Sequence, residues 1–182
     1  MIRLITILSV ALGVGLWAGA SSNEPASGAA LRLVLSEVRP GGLASEQYCM
    51  LVFDDRHFHS ETAHRQKGKD KERKVYEGQL SDSDWNALIA ILDAKEFREL
   101  RVPPTVPTLV VQESHPYTIS VARPSGFQNM EFLTKESLKP YQAQLKPLLE
   151  WWKSSRGAQL PESKAPADSR CSLNDADAIF SN

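Results

Sequence analysis

Leu80-Ser81-Asp82-Ser83-Asp84-Trp85-Asn86-Ala87-Leu88-Ile89-Ala90-Ile91-Leu92 carries a complete helix signal. Ser81 is a good N-cap, and Asp82 and Asp84 put negative charge where the helix dipole is positive. Leu80 and Trp85 have the spacing of a hydrophobic staple across the cap. Trp85, Leu88, Ile89 and Leu92 then follow the i, i+3, i+4, i+7 stripe of a helix with one buried side. Phe97 and Leu100 extend the stripe, and Pro103-Pro104 ends the segment because proline lacks the amide donor that a helix needs.

Upstream of this helix the pattern changes period. Leu31, Leu33 and Leu35 alternate with polar residues, as in a strand with one buried face. Pro40-Gly41-Gly42 signals a turn, and Gln47 to Phe53 reads as a second strand with Cys49, Leu51 and Phe53 on one side. Residues 54–74 are polar and charged, with no apolar alternation, and read as a long loop or a hairpin tip. Lys74 to Leu80 reads as a third strand.

Downstream, Thr108–Glu113, Tyr117–Arg123 and Gln128–Leu133 read as strands, separated by turns at Ser114-His115-Pro116 and Pro124-Ser125-Gly126. A second helix is expected over Lys139–Ser155, with Tyr141, Leu145, Leu148 and Trp152 on its buried side. Trp151 falls off that stripe, and Pro147 predicts a kink or a restart. The order β-β-β-α-β-β-β-α, with short strand links, predicts an α+β domain. Its mainly antiparallel sheet of five to six strands carries two amphipathic helices on one face.

The domain occupies 31–156. Residues 1–20 have the form of a signal peptide, with Arg3 ahead of an uncharged run from Leu4 to an Ala18-Gly19-Ala20 exit. Residues 21–30 read as a flexible leader and 157–182 as a flexible tail rich in proline, serine and aspartate. The expected location is therefore the periplasm or the extracellular space, with no transmembrane helix once the signal is removed.

Two cysteines, Cys49 and Cys171, have two readings. In an oxidising compartment they form a disulfide, and otherwise Cys49 is a buried free thiol unrelated to Cys171. The charge is nearly balanced, with 21 basic and 22 acidic residues. That balance and the export signal argue against a nucleic-acid partner.

Two clusters carry chemical leads. Lysine and arginine recur at Arg65, Lys67, Lys69, Lys71 and Arg73, followed by Lys74. On an extended chain the first five project from one face as a cationic ridge, suited to anionic envelope lipid or acidic polysaccharide. His57, His59 and His64 lie close together, and His57 and His59 share a face if the chain is extended. They suit a divalent metal such as zinc, copper or nickel, with Glu61 or Asp55 as further donors. No nucleophile elbow, glycine-rich phosphate loop or EF-hand is present in the sequence. The reading is a non-enzymatic binding domain using 54–74 as its contact surface, with no cofactor expected. The alternative is a metal-binding protein or small metal-dependent enzyme built on His57 and His59.

Overall fold

The computed structural model describes residues 29–41, 43–103, 114–156 and 160–171. The N-terminal apolar run, most of the leader, the strand expected at 108–113 and residues 172–182 lie outside the described residues.

Six antiparallel strands form one sheet: β1 (Leu31–Pro40), β2 (Ala44–Phe53), β3 (His57–Gln66), β4 (Glu72–Gln79), β5 (Ser114–Arg123) and β6 (Gly126–Thr134). Their spatial order is β4-β3-β2-β1-β5-β6, so β1, first in sequence, lies at the centre. Helices α1 (Asp82–Asp93), α2 (Lys95–Arg98), α3 (Lys135–Leu138) and α4 (Gln142–Arg156) complete the α+β fold.

Helix α1 begins where its sequence dictates. The Ser81 hydroxyl accepts the Asp84 backbone N–H at 3.1 Å. Leu88 and Leu92 then pack against Leu145, Leu148 and Trp152 of α4, above Leu33, Leu35, Met50, Val52, Ile119, Val121, Met130 and Phe132 of the sheet. This is the main core. Trp151 is buried as well, because its indole N–H reaches across to the Asp84 carbonyl at 3.1 Å and joins α4 to the start of α1. Pro147 does not cause a restart. Residues 142–156 form one helix, and the break falls earlier, in a 3-10 turn at Lys139–Tyr141 that contains Pro140.

The largest departure from the sequence reading is β3. The segment expected as a long loop or a hairpin tip holds an inner strand, paired with β2 from Val52↔Phe58 to Ala44↔Gln66 and with β4 from His57↔Gln79 to His64↔Glu72, and only its 67–71 portion is a hairpin tip. Apolar alternation is missing because buried polar groups take apolar positions. His59 and Glu61 are buried there, with His59 Nε2 hydrogen-bonded to Glu61 Oε1. The register change expected as a turn at Ser114–Pro116 is a bulge between Ser114 and Tyr117 at the start of β5.

The sheet is covered on its second face too. Cys49, Leu51, Phe53 and Ala63 form a smaller apolar cluster with Cys171. The Cys49–Cys171 disulfide is formed, with Cα atoms 5.5 Å apart, and it ties residues 160–171 across this outer face as a strap. Ser163 pairs with Val75 in an isolated bridge, its amide donating to the Val75 carbonyl at 2.7 Å. Over 160–171, the segment read as a tail is therefore held in place.

Candidate functional site

Two polar assemblies stand out, one under the strap and one at the opposite end of the fold. Under the strap, β3 and β4 turn His59, Glu61, Arg73 and Glu77 toward the outer face. His59 Nε2 lies 2.9 Å from Glu61 Oε1, and Nδ1 lies 3.3 Å from Glu77 Oε1. The strap contributes the Asp168 amide, which donates to Glu61 Oε1 at 2.6 Å. Arg73 Nη1 stands 3.6 Å from Glu61 Oε2. Burial works against a charged imidazole here, but the two carboxylates outweigh it and raise the His59 pKa above its ordinary 6.5. Both ring nitrogens then carry protons and donate. At the rim, the Arg170 guanidinium holds Asp168 below the usual carboxylate range against the opposing effect of burial.

This arrangement has a pH consequence. His59 titrates higher folded than unfolded, so its contribution to stability is complete below about pH 6.5 and fades as pH climbs through the raised value. Asp168 has the opposite sense, contributing above the ordinary carboxylate pKa and losing that contribution as pH falls. In the disulfide-intact protein, the gap in urea midpoint between wild type and His59→Gln is expected to narrow from about pH 6 to about pH 9. A gap that stays constant over that range would contradict a bridging imidazolium.

The histidine trio is not assembled. His57 shares the outer face with His59, but its ring stacks on Phe53 with centroids 5.7 Å apart. His64 is exposed on the other side of the sheet, in a small cleft of about 340 Å³ with Tyr48, Tyr76 and Lys74. The reason is the strand period of two, which sends residues 59 and 64 to opposite faces. The lysine-arginine ridge is likewise not a single face. The chain reverses between β3 and β4, with Gly68 at a φ of 76°, so Arg65 and Arg73 lie on paired strands while Lys67 and Lys69 sit in the turn. Arg73 is drawn to Glu61, and Lys74 pairs with Glu72 at 2.9 Å on the helix side.

The second assembly was not visible in the sequence. A cleft of about 750 Å³ opens where the end of α1, the α2 segment and the β5–β6 turn meet the start of β1. Arg32 of β1, Arg98 of α2, Arg101 just beyond it and Arg123 of β5 all line it. Among the described residues the one carboxylate in the lining is Asp93, which lies 3.7 Å from Arg32 Nη2 and 3.6 Å from Arg123 Nη1. Four guanidinium groups thus face one carboxylate.

Gln128 organises this cleft. Its Oε1 accepts from Arg123 Nε at 2.9 Å and Nη2 at 2.8 Å, while its Nε2 donates to the carbonyls of Phe97 and Leu100, each at 3.0 Å. One amide therefore fastens the 97–100 segment to β6 and aims Arg123. A further Arg123 bond to the Leu92 carbonyl at 2.9 Å locks the side chain. Arg123 has its pKa lowered, first by burial and then by Arg32, Arg98 and Arg101, against the attraction of Asp93. Arginine stays charged in any case, so the lowering records chiefly the cost of burying the guanidinium, with the three neighbouring arginines adding smaller repulsions. Arg32 Nε is buried with no hydrogen-bond partner. Phe127, half exposed, supplies an apolar wall.

The chain matches no protein-family model and no curated protein. The reading of either assembly therefore rests on its chemistry. In the outer-face network His59 and Glu61 Oε1 are hydrogen-bonded beneath the strap, while Glu61 Oε2 makes no hydrogen bond among the described residues and has the Arg73 guanidinium 3.6 Å away. The arginine cleft brings four arginines together with one carboxylate among the described residues, and Arg101 Nη1 also donates to the Arg98 and Leu100 carbonyls. Guanidinium groups in such an arrangement bind phosphate, sulfate or carboxylate oxygens, often two at a time. No sequence signal marks the cleft, because its four arginines are dispersed along the chain and only the sheet order and the Gln128 clamp bring them together.

Proposed function

We propose that the protein is a non-enzymatic binding domain of the exported space that captures an anionic small molecule or an acidic group of an envelope polymer in the arginine cleft. The observation that carries this reading is the convergence of Arg32, Arg98, Arg101 and Arg123 on one cleft where, among the described residues, Asp93 is the one carboxylate. Arg123 and the 97–100 segment are held in position before a ligand arrives, which lowers the cost of ordering them on binding. Asp93 is about half exposed, so an incoming anion can displace it from Arg32 and Arg123. Phe127 beside the cleft suits a ligand with an apolar portion next to its acidic group. The signal-like N-terminus and the disulfide fit an oxidising compartment.

The cleft serves this role better than the basic 65–74 hairpin, where Arg73 and Lys74 already have carboxylate partners. Calorimetric titration of the mature protein with pyrophosphate and with citrate at low salt tests the reading. Binding is expected, weakening as salt is added. Arg98→Ala and Arg101→Ala, both at exposed positions, should each lower affinity at least about tenfold, since a hydrogen bond to a charged group contributes about 1.5–3 kcal/mol. Lys69→Gln in the hairpin should leave affinity unchanged. Absence of binding to both probes, or equal losses from cleft and hairpin variants, would defeat the assignment.

A further inference from the structure

The disulfide does not sit alone on the outer face. Donor atoms of His59, Glu61 and Cys171 all lie within 4.8 Å of one another, and all three residues are buried. Cys49 is bonded to Cys171 and is the direct cross-strand partner of Glu61. Three of these four residues therefore stand on adjacent strands of a rigid sheet, and the strap delivers the fourth. We propose that reduction of the Cys49–Cys171 bond converts this cluster into a four-coordinate zinc site with Cys49, Cys171, His59 and Glu61 as ligands.

The chemistry balances. A small dithiol supplies two electrons and two protons, the S–S bond breaks to give two thiols, and the dithiol leaves as its own disulfide. Zinc then takes both sulfurs as thiolates, releasing their protons to solvent, and takes His59 as a neutral imidazole, releasing its extra proton. Two thiolates, an imidazole and a carboxylate form a donor set that suits tetrahedral zinc. Zinc bonds of about 2.0–2.3 Å place tetrahedral ligand atoms roughly 3.3–3.8 Å apart, so the donor atoms of His59, Glu61 and Cys171, now within 4.8 Å of one another, draw closer around the ion while the two sulfurs separate.

The surroundings match a ligand set of this kind. Glu77 at 3.3 Å from Nδ1 can hold the imidazole while Nε2 turns from Glu61 to the metal, the usual carboxylate–histidine–metal relay. Three anionic ligands exceed the charge of the ion by one, and Arg73, 3.6 Å from Glu61, offsets the excess. While the disulfide is intact both sulfurs are unavailable, so the site exists in one redox state only. This assignment is independent of the arginine cleft.

The test uses the mature protein reduced with a phosphine and desalted, with zinc and, as a spectroscopic probe, cobalt(II). One equivalent of zinc is expected to bind, and cobalt should give thiolate charge-transfer bands together with the visible bands of a tetrahedral ion. The oxidised protein should give neither. His59→Ala and Glu61→Gln should each weaken zinc at least about tenfold in the reduced form. Variants that bind as tightly as wild type would overturn the proposal, because the thiols alone would then account for uptake. Near-ultraviolet circular dichroism covers the case in which reduction loosens the fold. Zinc should restore the native signal, and uptake without that recovery is binding to unfolded chain and overturns the site, as does the absence of uptake.

Discussion

Replacing Cys171 with serine is expected to lower the unfolding free energy by about 4–5 kcal/mol. The bond joins residues 122 apart in sequence, so in the unfolded chain it closes nearly the whole domain into one loop. Loop-closure entropy grows with the logarithm of loop length, which places this bridge near the upper end of the usual range. The effect also reaches the native state. Without its anchor the strap has the Ser163–Val75 pairing and the Asp168 bond to Glu61 to hold it, and the cluster of Leu51, Phe53 and Ala63 lies beneath its edge. Cys49→Ser and the double variant should show the same loss as Cys171→Ser, because all three delete one bond. Urea unfolding without reductant measures this, and a loss under about 1 kcal/mol would mean that the strap rather than the crosslink holds the outer face.

Trp152→Ala should cost about 3–5 kcal/mol. The side chain is 1 % exposed and is the largest of the fully buried ones in the helix-side core. It stands in one cluster with Leu88 and Leu92 of α1 and with the apolar face of the sheet, so truncation opens a cavity where two helices and the sheet meet. Collapse of that cavity is opposed on both sides, by the Trp151 bond to Asp84 at one end of the helix pair and by the Gln128 clamp at the other. A drop in melting temperature of about 10–15 °C is the expected readout for a domain of this size. A drop below about 4 °C would show that the α1–α4 interface carries little of the stability. The contrast between the two variants is informative. Serine at 171 acts mainly through the unfolded chain, whereas alanine at 152 acts through the packed core, so only the second should leave the loss unchanged when both proteins are measured under reducing conditions.

The regular elements were legible wherever one face of an element was apolar. Helix α1 carried its own cap and most of its stripe within thirteen consecutive residues, although Ile91 rather than Ile89 joins the core. The sheet reproduces the alternation of β2 and β5, but in β1 a register shift sends Leu31 to the outer face, away from Leu33 and Leu35. β3 was hidden because burial there is polar. His59 and Glu61 occupy buried positions on the outer face, and a hydrophilic pair reads as solvent-facing until its partners are known. The same strand separates the histidine trio. His57, His59 and His64 are neighbours along the chain, but the strand sends His64 to the far side and Phe53 and the carboxylates engage the other two. Glu77 and Asp168, which complete the network, are brought in by cross-strand pairing and by the strap.

The sequence by itself determined the α+β class, the capped start of the helix at Ser81 and most of the alternation of the central strands, because each of these is written in residues within a turn or two of one another. It did not determine where that helix ends, since the stripe runs on through Phe97 and Leu100 while the chain breaks at Ala94 before α2. Only the tertiary structure decided that β3 is an inner strand, that Cys49 and Cys171 meet, and that Arg32, Arg98, Arg101 and Arg123 share one cleft. Those juxtapositions depend on strand order and register, which are set by the sum of many weak packing preferences over the whole sheet. The physical reason for the difference is range: backbone periodicity couples a residue to its near neighbours, whereas a binding cleft or a crosslink couples residues whose separation in sequence carries no information about their separation in space.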